Sequence, residues 1–138
     1  MQFSYIRTGL ELKKYPACKA ICRKASRILH SKTLYTFAYK DSMQKYKDGL
    51  LITSVPILKD TSLREIKSLV QYAVKHHCLL TLMFHSIVEE EQLKTSDNWS
   101  YSYAKFQELC QFLKNEEKEN HLTICKTADA YQKITERN

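Results

Sequence analysis

The chain has 138 residues, 43% of them apolar, and a formal net charge of +7, with 22 Lys and Arg against 15 Asp and Glu. That length fits one domain, residues 1–138, and that apolar content can fill a core, so disorder is not the default. No stretch approaches the roughly 20 consecutive apolar residues a membrane helix needs, and nothing resembles a signal peptide, so a soluble chain with no membrane span is expected.

In chain order, "FSYIRT" (3–8) reads as a short strand. From Pro16 to about His30 the pattern is helical: proline suits a first helical position, and Cys18, Ile21, Cys22, Ala25, Ile28 and Leu29 recur at helical spacing. "TLYTFAY" (33–39), with its threonines and aromatics, alternates as a strand would. "DSMQKYKDG" suits a short helical turn stopped by Gly49. "LLITSVPI" (50–57) predicts a strand buried on both faces, as in a parallel sheet, with Pro56 near its exit.

"DTSLREIKSLVQYAVKHH" has a clear helix start, because Ser62 and Glu65 match a capping box, and Leu63, Ile66, Val70, Ala73 and Val74 line one face. "CLLTLMFHSI" (78–87) predicts another strand apolar on both faces, and "EEEQLKTSDNWS" a loop. Ser102 can cap a helix from Tyr103 to about Glu117 that buries Phe106, Leu109, Cys110 and Leu113. "HLTICKT" (121–127) is the last predicted strand, and Thr127 or Ala128 opens a terminal helix. Strands alternating with helices imply an α/β fold with parallel strands and right-handed crossovers.

The five cysteines, Cys18, Cys22, Cys78, Cys110 and Cys125, show no zinc-site spacing and read as reduced structural thiols, which fits the cytoplasm. With two glycines in the whole chain there is no phosphate loop and no dinucleotide fingerprint. Lys13, Lys14, Lys19, Arg23, Lys24, Arg27 and Lys32 concentrate positive charge in one segment; a solvated helix face is the favoured reading, since no nucleic-acid motif accompanies it. His76, His77 and His30 lie near helix ends, where a positive charge complements the helix dipole, and His121 begins a strand. No two histidines have metal-site spacing.

His85 is different. It closes an apolar strand, and in parallel α/β folds ligands bind beyond the carboxyl ends of strands. Imidazole exchanges protons near neutral pH, and the following loop carries Trp99, Tyr101 and Tyr103, whose rings can stack on sugars. The competing reading is a histidine that only closes the strand, its nitrogens bonded to backbone.

"LLTLMFHSIVEEE", then "WSYSYAKFQELCQFLKNEE", then "HLTICKTADAYQKI" resembles the C-terminal half of a polysaccharide deacetylase (NodB-homology) domain. Met83-Phe84-His85 stands at that family's Leu-x-His motif with Met replacing Leu, Phe106 at its helix phenylalanine, and Thr127 at the threonine after its last strand. "SLREIKSLVQYAVKHH" looks like the helix before the motif strand, and "FSYIRTG", with Arg7, like an earlier strand that ends in arginine. The resemblance covers about residues 50–134 well and the first 50 poorly. It implies part of a distorted (β/α) barrel and removal of acetyl groups from N-acetylated sugars. In that family a divalent, zinc-like metal polarises the carbonyl, an aspartate is the base, and the motif histidine protonates the leaving amine. His85 would be that catalytic acid, Met83 would line the acetyl pocket, and Trp99 and Arg7 would contribute to substrate binding.

The sequence departs from the family in lacking its Thr-Phe-Asp-Asp and His-x-x-x-His motifs, so no metal ligands are assigned here, and its Asp-Trp pair follows His85 where the family's precedes the histidine. The chain therefore reads as a C-terminal piece of such a domain, inactive alone. It would take a carbohydrate substrate only when completed by the missing half, and its exposed sheet edge would favour that pairing or a homo-oligomer. The alternative is a non-catalytic α/β module that binds an anionic partner through the basic helix around 13–32; nucleic acid is not expected.

Overall fold

In the computed structural model the described residues are 6–8, 17–43 and 51–135. The expectations on Lys13, Lys14, Pro16, Gly49 and Leu50 lie outside them. The fold is mixed α/β, with helices joined to short parallel strand pairs.

Strand β1 (Ile6–Thr8) pairs in parallel with β2 (Leu51–Thr53), and β3 (Val55–Pro56) pairs in parallel with β4 (Leu82–Met83). Only Ser54 separates β2 from β3, so one extended segment joins the two pairs. Amides of Val55 and Ile57 donate to the Thr81 and Met83 carbonyls at 2.8 and 2.9 Å. Ile52, Ser54, Val55 and Ile57 are all buried, as a strand covered on both faces requires. A third parallel pair joins β5 (Ser86–Val88) to β6 (Ser100–Ser102).

Helix α3 (Leu63–His76) connects β3 to β4. Its start is the capping box read from the sequence: the Glu65 amide donates to Ser62 Oγ at 3.3 Å, and the Ser62 amide donates to Glu65 Oε2 at 2.7 Å. It buries Ile66, Leu69, Val70 and Ala73, and ends at His77, which takes a left-handed conformation with φ 51°. Helix α5 (Tyr103–Lys118) starts at Ser102, whose Oγ accepts from the Lys105 amide at 3.2 Å, and α6 (Thr127–Thr135) closes the described chain.

The structure differs from expectation in several places. Residues 33–39 are helical: α2 (Lys32–Tyr39) buries Tyr35, Ala38 and Tyr39, spaced three and four apart, so the helical period overrides the β-propensity of Thr, Tyr and Phe. The strand read over 78–87 is two short pieces, β4 and β5, that break around His85 and pair with different partners. The loop after it contains helix α4 (Glu90–Thr95) and strand β6. Residues 121–126 form no strand: their backbone has no ladder partner among the described residues, and Cys125, Thr127 and Ala130 line, with Leu79–Leu82, a hollow of about 220 Å³. Cys110 and Cys125 are exposed rather than packed as small hydrophobes, although all five cysteines are free thiols.

The apolar stripe of α1 (Ala17–Leu29) also has an unexpected place. Ile21, Ile28 and Leu29 are 67%, 79% and 68% exposed, while Lys19 and Ser26 are buried. Lys19 forms an ion pair with Asp41, and the Arg23 guanidinium lies 5.6 Å from the centre of the Tyr39 ring. The helix thus docks on α2 by its polar side. The core is built from α2, α3, the β3–β4 pair, Tyr101 and Leu109.

Candidate functional site

His85 stands two residues past Met83, the last residue of β4, at the carboxyl end of that strand. Its side chain is exposed, and its ring lies 4.4 Å from that of Trp99, inclined at 57°. Neither ring nitrogen has a hydrogen-bond partner among the described residues, so His85 does not close the strand by bonding to backbone. Trp99 is itself 45% exposed, which leaves ring surface open to solvent.

Two polar devices hold Trp99 there. Asp97 Oδ1 accepts from the Trp99 amide at 3.0 Å and from Ser100 Oγ at 3.1 Å, an Asx turn that sets the indole just before β6. From the exit of β3, the Lys59 amide donates to the Asn98 carbonyl at 3.0 Å, and Lys59 Nζ donates to the Ser96 carbonyl at 3.0 Å. The loop that carries the tryptophan is thereby tied to the carboxyl end of the neighbouring strand. Sequence reasoning singled out the indole and the imidazole but not Asp97 or Lys59. The spacing "SDNWS" is the Asx-turn signal that points to Asp97; Lys59 carries no comparable local signal.

Behind the pair the site is apolar. Phe84 packs at 5.5 Å from the Tyr101 ring and edge-on at 5.1 Å from Phe106, so the residue between Met83 and His85 anchors this turn in the core. Tyr101 is buried, and its hydroxyl has no hydrogen-bond partner among the described residues. Burial foremost, with Glu108 and Glu65 adding to it, pushes its phenol up to about 12. Ser102 Oγ, which caps α5, also bonds the Glu90 carboxylate, linking α4 to β6.

Of the four residues expected at the site, the structure brings His85 and Trp99 into contact. Met83 is half-buried, and its sulfur accepts from Ser54 Oγ at 3.7 Å, which places it on the side of β4 next to β3. Arg7 is placed by its backbone in β1, opposite Ile52 of β2. A larger hollow of about 390 Å³ runs along α5 between Tyr103 and Lys114; neither it nor the one beside β4 is lined by His85.

The other histidines take structural positions. The His76 ring lies 4.2 Å from that of Tyr72 at the end of α3. His30 Nδ1 is 3.9 Å from the buried Glu65 carboxylate, and His121 Nδ1 lies 3.0 Å from Glu116. Among the described residues no three His, Cys, Asp or Glu side chains gather as a metal-ligand group. The donors a metal would need are thus not brought together, and no step is assigned to one in this chain. No helix described is long and apolar enough to cross a membrane. No protein-family model, curated protein or solved structure matches the chain.

Proposed function

We propose that this chain is the C-terminal part of a polysaccharide-deacetylase-like hydrolase, with His85 as the acid that protonates the leaving amine when an acetyl group is removed from an N-acetylated sugar. The observation that carries the reading is the exposed imidazole at the carboxyl end of β4, its nitrogens unengaged among the described residues and its ring against Trp99. A proton donor in amide hydrolysis must be free to reach the nitrogen, and an imidazole already bonded to backbone would not be. As the C–N bond breaks, the amine takes the proton from His85 and the carbonyl carbon keeps the water oxygen as acetate. The open face of Trp99 offers a stacking surface for the pyranose ring.

Further support comes from the strand succession. β1, the β2–β3 segment and β4 follow one another in parallel with helices between them, the order an arc of a (β/α) barrel would have. The base and the metal ligands belong, on this reading, to a segment with the Asp-Asp and His-x-x-x-His motifs, which this sequence does not hold.

The test is metal-dependent release of acetate from N-acetylglucosamine oligomers. The chain alone releases none. Joined to a segment bearing those motifs it becomes active, and His85→Ala lowers that activity about 100-fold or more, the usual worth of a positioned acid. Robust release by the chain alone would overturn the reading. So would restored activity that His85→Ala leaves unchanged.

A further inference from the structure

Strand β4 has a second edge, and a later segment of the same chain lines the hollow beside it. Val55 stands opposite Leu82, and its amide donates to the Thr81 carbonyl at 2.8 Å. Backbone groups alternate along a strand, so Leu80 and Leu82 turn their amides and carbonyls away from β3. Among the described residues β3 is the one ladder partner of β4, and the Leu82 amide has no acceptor on the outer edge. Leu80 and Leu82 border the hollow of about 220 Å³ that Cys125, Thr127 and Ala130 also line.

Residues 121–126 supply what such an edge lacks. Thr123 and Ile124 are β-formers, and the amides of Leu122, Thr123 and Cys125 have no acceptor among the described residues. Both ends of the segment are already set. Asn120 takes a left-handed conformation with φ 59°, the His121 amide donates to the Glu116 carbonyl at 3.0 Å, and Thr127 starts α6 at the hollow. The chain between β4 and this segment includes α5, the helical crossover that parallel neighbours require. In this structure the middle is tied to α5 instead: the Ile124 amide donates to Glu117 Oε1 at 2.7 Å, and the Ile124 side chain stays exposed. We propose that residues 122–125 are a strap that closes on the outer edge of β4 as a further parallel strand, filling the hollow and bracing the strand that leads to His85. The device does not depend on the hydrolase reading.

Disulfide trapping to Cys125 tests the closure in the full chain, with the other four cysteines replaced by alanine. Leu80→Cys, Thr81→Cys and Leu82→Cys are made one at a time. Successive side chains of a strand point to opposite faces, and a disulfide needs Cα atoms within about 7 Å. A laddered strap therefore cross-links either at Thr81→Cys or at Leu80→Cys and Leu82→Cys, at least about tenfold faster than at the other parity. Thr123→Pro/Ile124→Pro removes a ladder donor whichever of the two amides faces β4, and abolishes that preference. The chain with its native cysteines gives an independent readout by amide hydrogen exchange: the Leu82 amide is protected, and exchanges at least about fivefold faster in Thr123→Pro/Ile124→Pro. No intramolecular cross-link, equal rates at all three positions, or Leu82 exchange that the proline pair leaves unchanged would overturn the proposal. Cross-links between molecules alone would overturn it too, and would assign the edge to a strand of a second copy.

Discussion

Helices α1 and α3 are near equals in length, 13 and 14 residues, and both separate apolar from polar residues sharply around their circumference. They are used in opposite ways. α3 buries Ile66 and Leu69 completely, while α1 buries Lys19 and Ser26 and leaves its isoleucines in solvent. An amphipathic pattern says which face is apolar; neighbours decide which face is inside. α3 connects two parallel strands, and that connection must lie back across the sheet. The described residues between β1 and β2 include α1 and α2, and α2 takes the covering place: Tyr35, Ala38 and Tyr39 join the core, and Thr36 Oγ1 is 2.8 Å from Ser68 Oγ of α3. α1 is left as a second layer.

The largest effect that would break this contrast is a pair of truncations. Leu69→Ala is expected to cost about 2–5 kcal/mol in denaturant unfolding, whereas Ile28→Ala stays within about 0.5 kcal/mol. A cost at Ile28 as large as that at Leu69 would mean the α1 face is inside after all. Next comes the start of α3. Ser62→Ala removes the hydroxyl that accepts from the Glu65 amide and donates to Glu65 Oε2, and leaves the fully buried carboxylate with the backbone amide of position 62 alone from this cap, for a loss of about 1–2 kcal/mol.

Alkaline unfolding should sharpen the picture further, because the core carries buried phenols and α1 carries none. Burial is the main cause that pushes Tyr35 well above the ordinary phenol value and Tyr101 up to about 12. Both pKa values are raised on folding, so the unfolded chain gives up these protons first. Stability attached to them is whole below about pH 10 and falls as pH climbs from there through the folded value. Tyr101→Phe should flatten that decline, measured as the denaturation midpoint against pH. The smallest effect is the same variant at neutral pH. Because the Tyr101 hydroxyl is buried without a partner among the described residues, Tyr101→Phe should leave stability unchanged or raise it by up to about 1 kcal/mol.

Local signals were readable where one residue type has one strong reason to be where it is. Ser62 with Glu65, Ser102 before α5 and Thr127 at the start of α6 all mark helix starts correctly, and the doubly buried segment around Ile52–Ile57 has the continuous apolar character of a covered parallel strand. "TLYTFAY" misled because its β-formers satisfy a period of two by identity while its burial follows a period of three to four. For 121–126 the local pattern is that of a strand, but a strand also needs a ladder, and that depends on what lies beside it. At the candidate site, His85 and Trp99 were visible as chemistry-bearing residues. Their meeting was not, since it depends on Lys59 and Asp97 drawing a distant loop to the end of β3.

The contact that ends α5 bears on solubility. "LTIC" is rich in β-formers, its Ile124 is 52% exposed, and such a segment without a ladder invites strands from other molecules. Its Ile124 amide donates instead to Glu117 Oε1 at 2.7 Å. The carboxylate occupies the very donor that an incoming strand would recruit, and sets a negative charge beside it. Removing that carboxylate would free the donor: Glu117→Ala should quicken thioflavin-positive aggregation on mild heating with little change in the unfolding midpoint, and an unchanged lag time would count against this consequence.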